Sequence, residues 1–325
     1  MRIALITPYG REHRNGNWHT AARWARFLRE AGHSVRVQVD WDGRSADLML
    51  ALHARRSFAS IRAFAERDPT RPLVVALTGT DLYRDIHEDR DAQHALELAH
   101  RLIVLQPRGV DELPTHLAAR TRVIYQSAPD IARRTSSVHT FEVVVIGHLR
   151  AEKDPFRAAL ATAYLPEHSR TRVTHFGRAL SEDMAQTAEL AQRKLPRWQW
   201  QGEVPHRTVL TRLARADLMV ISSVMEGGAN AICEALAADV PVIASHMPGN
   251  VGMLGEDYPG YFPVGNERQL ARLLSRAETD ADFYAELVRL GRARRELMRP
   301  EQEASRLRQA IAEFEQRPLP PVSRA

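Results

Sequence analysis

Along this chain, short apolar and β-branched runs alternate with stretches whose apolar residues recur at helical spacing, from residue 2 to about residue 245. Short apolar runs bounded by turn-forming residues read as strands buried on both faces, and the amphipathic stretches between them read as crossover helices. The pattern predicts an α/β fold built on parallel sheets. In the first half, strands are expected at residues 2–6, 34–39, 47–52, 73–77, 101–105 and 121–125. The clearest helix covers residues 20–31, where Ala21, Trp24, Ala25 and Leu28 share one face and Gly32 follows as a stop.

The alternation lapses over residues 130–140, a polar segment with paired arginines and serines that reads as an interdomain linker. It resumes with strands at 141–146, 172–176, 198–202, 217–222 and 240–244, and with helices from about 154, over 181–194 and 206–215, and from about 228. Residues 266–315 continue as charged, apolar-striped helix broken at Pro300, and 317–325, with three prolines, read as a disordered tail. The expectation is two doubly wound, Rossmann-like domains, 1–135 and 140–300, with a helix at 301–316 packing back on the first. Ligands of such sheets bind beyond the carboxyl ends of the strands, so the expected site is a cleft between the two domains.

A length of 325 residues suits about two domains of roughly 150 residues each. The apolar run at the start is too short for a secretory signal and no run is long enough to span a bilayer, so a soluble, cytoplasmic protein is expected. A single cysteine, Cys233, forms neither an internal disulfide nor a multi-cysteine zinc site, and the histidines show no zinc-binding spacing. The net charge of +5 comes from basic residues scattered beside acids, as across residues 292–296, and only Lys153 and Lys194 are lysines. Without a basic cluster interleaved with aromatics, nucleic acid is not an expected partner. The basic face of Arg23, Arg26 and Arg29 reads as the solvated side of a helix covering a sheet, not a membrane contact. Phosphorylated small molecules suit this charge.

The most informative segment runs from Ser222 to Leu236: a strand ends, Glu226 precedes the turn Gly227-Gly228, and Ala229 and Asn230 open a helix that carries Glu234. Free backbone N–H groups and the positive end of the helix dipole at such a turn bind phosphate without a metal. The two carboxylates can then meet a sugar and a ribose. An ordinary strand-to-helix turn with solvated acids has the same outline.

Glu226 to Glu234 matches the E-x7-E motif of the retaining, two-domain (GT-B) glycosyltransferases of the glycosyltransferase 4 class, which this chain resembles. The segment Gly147-His148-Leu149-Arg150-Ala151-Glu152-Lys153 resembles that class's G-R-L-x-x-x-K. In the class the arginine and lysine neutralise the departing nucleoside diphosphate. The resemblance therefore implies catalytic roles for Lys153, Glu226 and His148, with His148 standing in place of the arginine and Arg150 supplying the guanidinium. It implies donor contacts at Gly16, Arg150, Gly177, Gly227, Gly228, Ala229, Asn230 and Glu234. Asp154 and Asp239 stand where the class usually has glycine.

In the first half, Pro8-Tyr9-Gly10, residues 15–25, 51–57 and 77–85, and Val104-Leu105-Gln106 are similar to the selenosugar synthases of selenoneine biosynthesis. That resemblance covers nearly the whole chain and implies transfer of a sugar from UDP-N-acetylglucosamine to selenophosphate, giving a 1-seleno-sugar, UDP and phosphate, with no metal or other cofactor. An anionic acceptor needs N–H and cationic donors, and Asn17, His19, Thr20, His53, Arg55, Thr78, Gly79 and Thr80 are the candidates. His53 reads equally as a satisfied histidine at a strand end. Ionised selenium is already a strong nucleophile, so positioning and leaving-group stabilisation are expected to outweigh general-base catalysis. A carbohydrate or lipid acceptor, and epimerisation of a UDP-sugar, fit the same donor residues. Asp40-Trp41-Asp42 spells a metal-binding D-x-D, but it follows a strand of the first sheet, and the spacing of Gly10 and Gly16 is not that of a dinucleotide fold.

Overall fold

A computed structural model describes residues 1–13, 15–134 and 139–315. The chain forms two compact units: one comprises Met1–Gln126, Glu226–Gly228 and the segment from Pro300, the other Ser127–Met225 and Ala229–Arg299.

The first unit holds six parallel strands, β1 (Arg2–Ile6), β2 (Ser34–Gln38), β3 (Leu48–Leu52), β4 (Leu73–Leu77), β5 (Arg101–Val104) and β6 (Thr121–Val123), in the order β2-β1-β3-β4-β5-β6. Its helices include α1 (Gly16–Glu30), α2 (Phe58–Arg67) and α3 (Arg90–Leu98). The central strands β3 and β4 are apolar along their length, and β1 is so beyond Arg2, because both faces are covered, whereas the edge strands β2 and β6 carry polar, partly exposed residues. Ile3, Leu5, Leu48 and Leu50 pack on the α1 side with Trp24 and Leu28, while Ala4, Ile6, Met49 and Val75 pack on the other with Ile61 and Leu96. The helix α1 begins four residues before its expected start at residue 20 because the Asn15 side chain accepts a hydrogen bond from the Trp18 N–H at 3.0 Å.

The second unit repeats the design with β7 (Phe141–Ile146), β8 (Thr171–Phe176), β9 (Trp198–Trp200), β10 (Leu218–Ile221), β11 (Val242–Ser245) and β12 (Tyr261–Phe262), all parallel and ordered β12-β11-β10-β7-β8-β9. Around them lie α4 (Arg157–Ala161), α5 (Glu182–Lys194), α6 (His206–Leu213), α7 (Asn230–Ala237), α8 (Pro248–Leu254), α9 (Glu267–Thr279) and α10 (Ala281–Arg295). Both orders are those of doubly wound sheets, and the strand order reverses between β1 and β3 in one unit and between β7 and β10 in the other.

Residues 130–134, inside the expected linker, bond to the second unit: Ile131 N–H to the Ala237 carbonyl, Arg134 N–H to the Ala214 carbonyl, and Asp130 to Arg295 at 2.6 Å. Residues 135–138 of that segment, and 316–325 with the expected tail, lie outside the described residues. The helix expected from about 154 begins at Arg157, because Asp154 takes a left-handed backbone (φ 43°) that closes the preceding turn. Two elements were not expected. The edge strand β12 has only two residues, and α8 looks like a loop in sequence because of its proline and glycines, yet Pro248 fits the first helical turn and Gly249 to Leu254 are buried. Among the described residues no helix is long and apolar enough to cross a membrane.

The last helix, α11 (Pro300–Ala312), belongs to the first unit and packs on α1. Its Glu303 side chain is 0% exposed, accepts from the Arg23 guanidinium at 2.7 and 3.1 Å, and accepts from Trp24 Nε1 at 2.6 Å. A buried carboxylate is tolerated only with such partners. Glu303→Ala removes the counter-charge of a mostly buried arginine, so it is expected to lower stability by about 3 kcal/mol in denaturant titration. An unchanged midpoint would show that α11 does not anchor the unit.

Candidate functional site

In the second unit the candidate residues gather at the carboxyl ends of β7, β8 and β10, beside the reversal of strand order. The chain leaves β7 at Gly147 and β8 at Gly177, and the two loops pair: Gly147 N–H reaches the Phe176 carbonyl at 2.9 Å, and Leu149 N–H reaches the Arg178 carbonyl at 2.9 Å. This approach requires glycine, since a Cβ on Gly177, whose φ is +148°, would stand 2.0 Å from the Gly147 carbonyl oxygen. The buried His175 lies beneath, its Nε2 2.9 Å from the same carbonyl oxygen and its ring edge-on to Trp198.

The His148 ring is fixed by the same crossing. Its Nδ1 accepts from the Arg178 N–H at 3.2 Å, and burial, reinforced by the positive charge of Arg178, pushes its pKa down. A neutral ring accepting at Nδ1 carries its proton on Nε2, so His148 offers a hydrogen-bond donor without a charge. Positive charge in this loop therefore comes from Arg150 and Lys153.

Lys153 ends a single turn of helix, Ala151–Lys153, and its stem runs across Gly147. The turn is stitched to the loop after β10: Ser222 Oγ lies 3.1 and 2.9 Å from the Lys153 and Asp154 carbonyl oxygens, and the Glu152 carbonyl accepts from the Val224 and Met225 N–H groups. Asp154 and Asp239 both hold positive φ, 43° and 54°. Aspartate bears that conformation better than most side chains, which accounts for its standing where glycine is usual. Gly147, Lys153, His175, Ser222 and Ser223 line one shallow crevice.

Beyond β10, Ala229 caps α7, Asn230 opens it, and Cys233 is buried in it. Glu234 follows one turn on, its side chain 15% exposed, with Oε1 2.8 Å from Nε2 of His206 at the start of α6. Hydrogen bonding to Glu234 raises the pKa of His206.

Glu226, Gly227 and Gly228 cluster with the first unit. Gly227 lies on the loop after β4, where a Cβ would be 2.4 Å from the Thr78 carbonyl oxygen, and a Cβ on Gly228 would be 2.6 Å from Leu105 Cβ. The Glu226 carboxylate helps to raise the pKa of the Tyr83 phenol, which burial does most to push up.

The other first-unit candidates fall into two groups. At the start of α1, Gly16 is exposed and Asn17 and His19 are half-buried, while Thr20 is fully buried, its hydroxyl 2.9 Å from the Gly16 carbonyl and 2.8 Å from Gln126 Nε2. After β3, His53 is 2% exposed in a left-handed backbone (φ 71°), with Nε2 3.1 Å from Thr80 Oγ1. Thr20 and His53 are thus enclosed with partners of their own. Asp81 organises this region, its carboxylate accepting from the N–H groups of Ala54, Thr78 and Gly79 at 2.9 to 3.0 Å. Arg55 is half-exposed and pairs with Asp89 at 2.8 Å. The D-x-D look-alike is held elsewhere, with Asp42 accepting from the Arg44 N–H and Trp41 edge-on to Phe64.

Residues 130–294, just over half of the chain, match the family model described as glycosyl transferases group 1. The chain belongs to this family. Among solved structures it is similar to Alr3699/HepE of Anabaena in complex with UDP and glucose, at 18% identity and TM-score 0.76, over 96% of this chain and 100% of that one. It is also similar to a sucrose-phosphate synthase of Thermosynechococcus elongatus, at 16% identity and TM-score 0.80, over 97% and 99% of the two chains. The pneumococcal O-GlcNAc transferase GtfA, in complex with UDP and GlcNAc, matches at 13% identity and TM-score 0.65, over 83% of this chain and 57% of that one. The two parallel six-stranded sheets are those of a GT-B fold.

Two residues that touch the candidate side chains or the turn that carries them were missed in sequence. His206 meets Glu234 from a different helix, and no spacing rule links residues so placed. Ser222 looks like the end of a strand, and only its contacts reveal it as the strut of the Lys153 turn.

The buried His175 gives a test of this packing. Its pKa is held down by burial, at about 4 against an ordinary 6.5. Between those values the unfolded chain binds a proton that the folded chain does not, so stability falls as pH drops through that window, by up to about 3 kcal/mol. Thermal melting is expected to decline more steeply from pH 6.5 to 4.5 in the wild type than in His175→Gln. Equal slopes would place the acid sensitivity elsewhere.

Proposed function

We propose that this glycosyltransferase moves a sugar, N-acetylglucosamine, from its UDP-activated form to selenophosphate. In the proposed reaction selenium attacks the anomeric carbon, the bond from that carbon to the UDP oxygen breaks, and UDP departs with the electron pair. Hydrolysis of the selenium–phosphorus bond then gives the 1-seleno-sugar and phosphate.

The observation that carries the donor half is the arrangement around the first turn of α7. Glu234, the ribose partner in this reading, stands one turn beyond the helix start at Ala229 and Asn230, and Lys153 sits on the turn tied through Ser222 and Glu152 to the loop that leads there. Backbone N–H groups and the helix dipole would receive the diphosphate. Lys153 and Arg150 would offset the charge growing on the leaving oxygen, and His148 would add a neutral donor. Glu226 would meet the sugar, with Gly177, Gly227 and Gly228 giving close backbone approach. Complexes of similar structures with UDP, UDP-glucose or GlcNAc support a nucleotide-sugar donor.

The acceptor half rests on the similarity of first-unit segments to selenosugar synthases, with Thr78-Gly79-Thr80 where many related transferases carry histidine. Asn17, His19, Arg55, Thr78, Gly79 and Thr80 would hold the acceptor, with His53 and Thr20 behind them. The reaction so drawn uses no metal.

The test is mass spectrometry of the protein incubated with UDP-N-acetylglucosamine and freshly made selenophosphate, with UDP followed in parallel and selenophosphate omitted as control. A selenium-patterned hexosamine appearing together with UDP, undiminished by EDTA, is the expected result. Lys153→Ala is expected to cut its rate by about 100-fold without loss of folding. UDP release driven by a carbohydrate acceptor and indifferent to selenophosphate would replace this reading with an ordinary sugar transfer, and isomerised UDP-sugar would replace it with an epimerase.

A further inference from the structure

The Glu234 carboxylate does not stand alone in this structure. Its Oε1 lies 2.8 Å from His206 Nε2, and among the described residues its Oε2 accepts no hydrogen bond. His206 is the first residue of α6, and Pro205 caps that helix, its carbonyl accepting from the Thr208 and Val209 N–H groups. The proline's restricted φ and these two bonds fix where the imidazole emerges. Glutamate has three rotatable side-chain bonds, and one directed hydrogen bond from a rigid donor selects a single carboxylate placement.

We infer that His206 is a positioning residue for nucleotide binding: it holds Oε1 of Glu234 so that Oε2 is presented to a ribose diol. This rests on the proposed reading of Glu234 as the ribose partner. Nε2 donates in the imidazolium and in the Nε2–H tautomer that a carboxylate acceptor selects, so the device needs a donor at that point, not a positive charge. A preset carboxylate spares the ligand the entropy of ordering it, which is worth a few-fold in affinity. The contribution exists only for ligands that carry the ribose hydroxyls.

Calorimetric titration of the full-length protein with UDP and with 2′,3′-dideoxy-UDP tests this. His206→Ala is expected to raise the Kd for UDP about five-fold (~1 kcal/mol) and to leave the Kd for the dideoxy nucleotide unchanged. His206→Gln, which keeps a donor near the Nε2 position, is expected to restore tight UDP binding. Glu234→Ala is expected to weaken UDP further, and adding His206→Ala to it should change nothing more. If Glu234→Ala weakens UDP but His206→Ala does not, or if His206→Ala weakens both nucleotides equally, the inference is overturned while the ribose reading stands. If Glu234→Ala leaves the Kd for UDP unchanged, the ribose reading itself fails and the inference falls with it.

Discussion

The second unit depends on one close approach of backbone to backbone. With no side chain at Gly177, the loop after β8 can lie against the Gly147 carbonyl, and a Cβ there would overlap it at 2.0 Å. The Arg178 N–H then reaches His148, the paired loops fix Leu149, and the chain is delivered to the turn that carries Lys153. Ser222 and the Glu152 carbonyl join that turn to the segment approaching α7. The backbone that carries a cation, a neutral donor and a helix start is thereby held by main-chain pairing and the Ser222 and His148 side chains, so that this backbone needs no ordering when a ligand arrives.

Charge is distributed to match. Position 148, where the resembled class carries arginine, holds a histidine whose pKa burial pushes down, so its ring brings no permanent charge. Arg150 and Lys153 remain as cations within the same loop. In the proposed reaction the leaving diphosphate is then met by one lysine, one arginine and oriented N–H groups, a set that stabilises charge where it grows. The first unit shows the complementary pattern, with one buried carboxylate, Asp81, ordering the loops after β3 and β4 by accepting three backbone N–H groups.

Most of the fold was legible because strands buried on both faces must be apolar throughout. β1, β4 and β7 coincide with their apolar runs, β8 differs from its run by one residue at its start, and β10 and β11 differ from theirs by one or two residues at each end. The misses have physical causes. β12 is two residues long, too short for any periodicity, and α8 is helical because its first turn accepts proline and its face is buried, against the preference of its glycines. The start of α1 moved back to Gly16 because a cap outweighs the apolar stripe as a signal of where a helix begins. In the site, the glutamates and glycines of residues 226–234 were legible as a spaced motif, whereas the pairing of His206 with Glu234 and the enclosure of His53 arise from tertiary contacts between separate elements.

In the proposed reaction the nucleotide is held by the first turn of α7 and by Lys153. A crystal structure of the protein with UDP tests it most directly. The expected complex has the ribose hydroxyls on Oε2 of Glu234, the diphosphate on the N–H groups of Ala229 and Asn230, and the Lys153 ammonium within hydrogen-bond reach of a phosphate oxygen. UDP bound with its ribose away from Glu234 and its diphosphate away from Lys153 would contradict it.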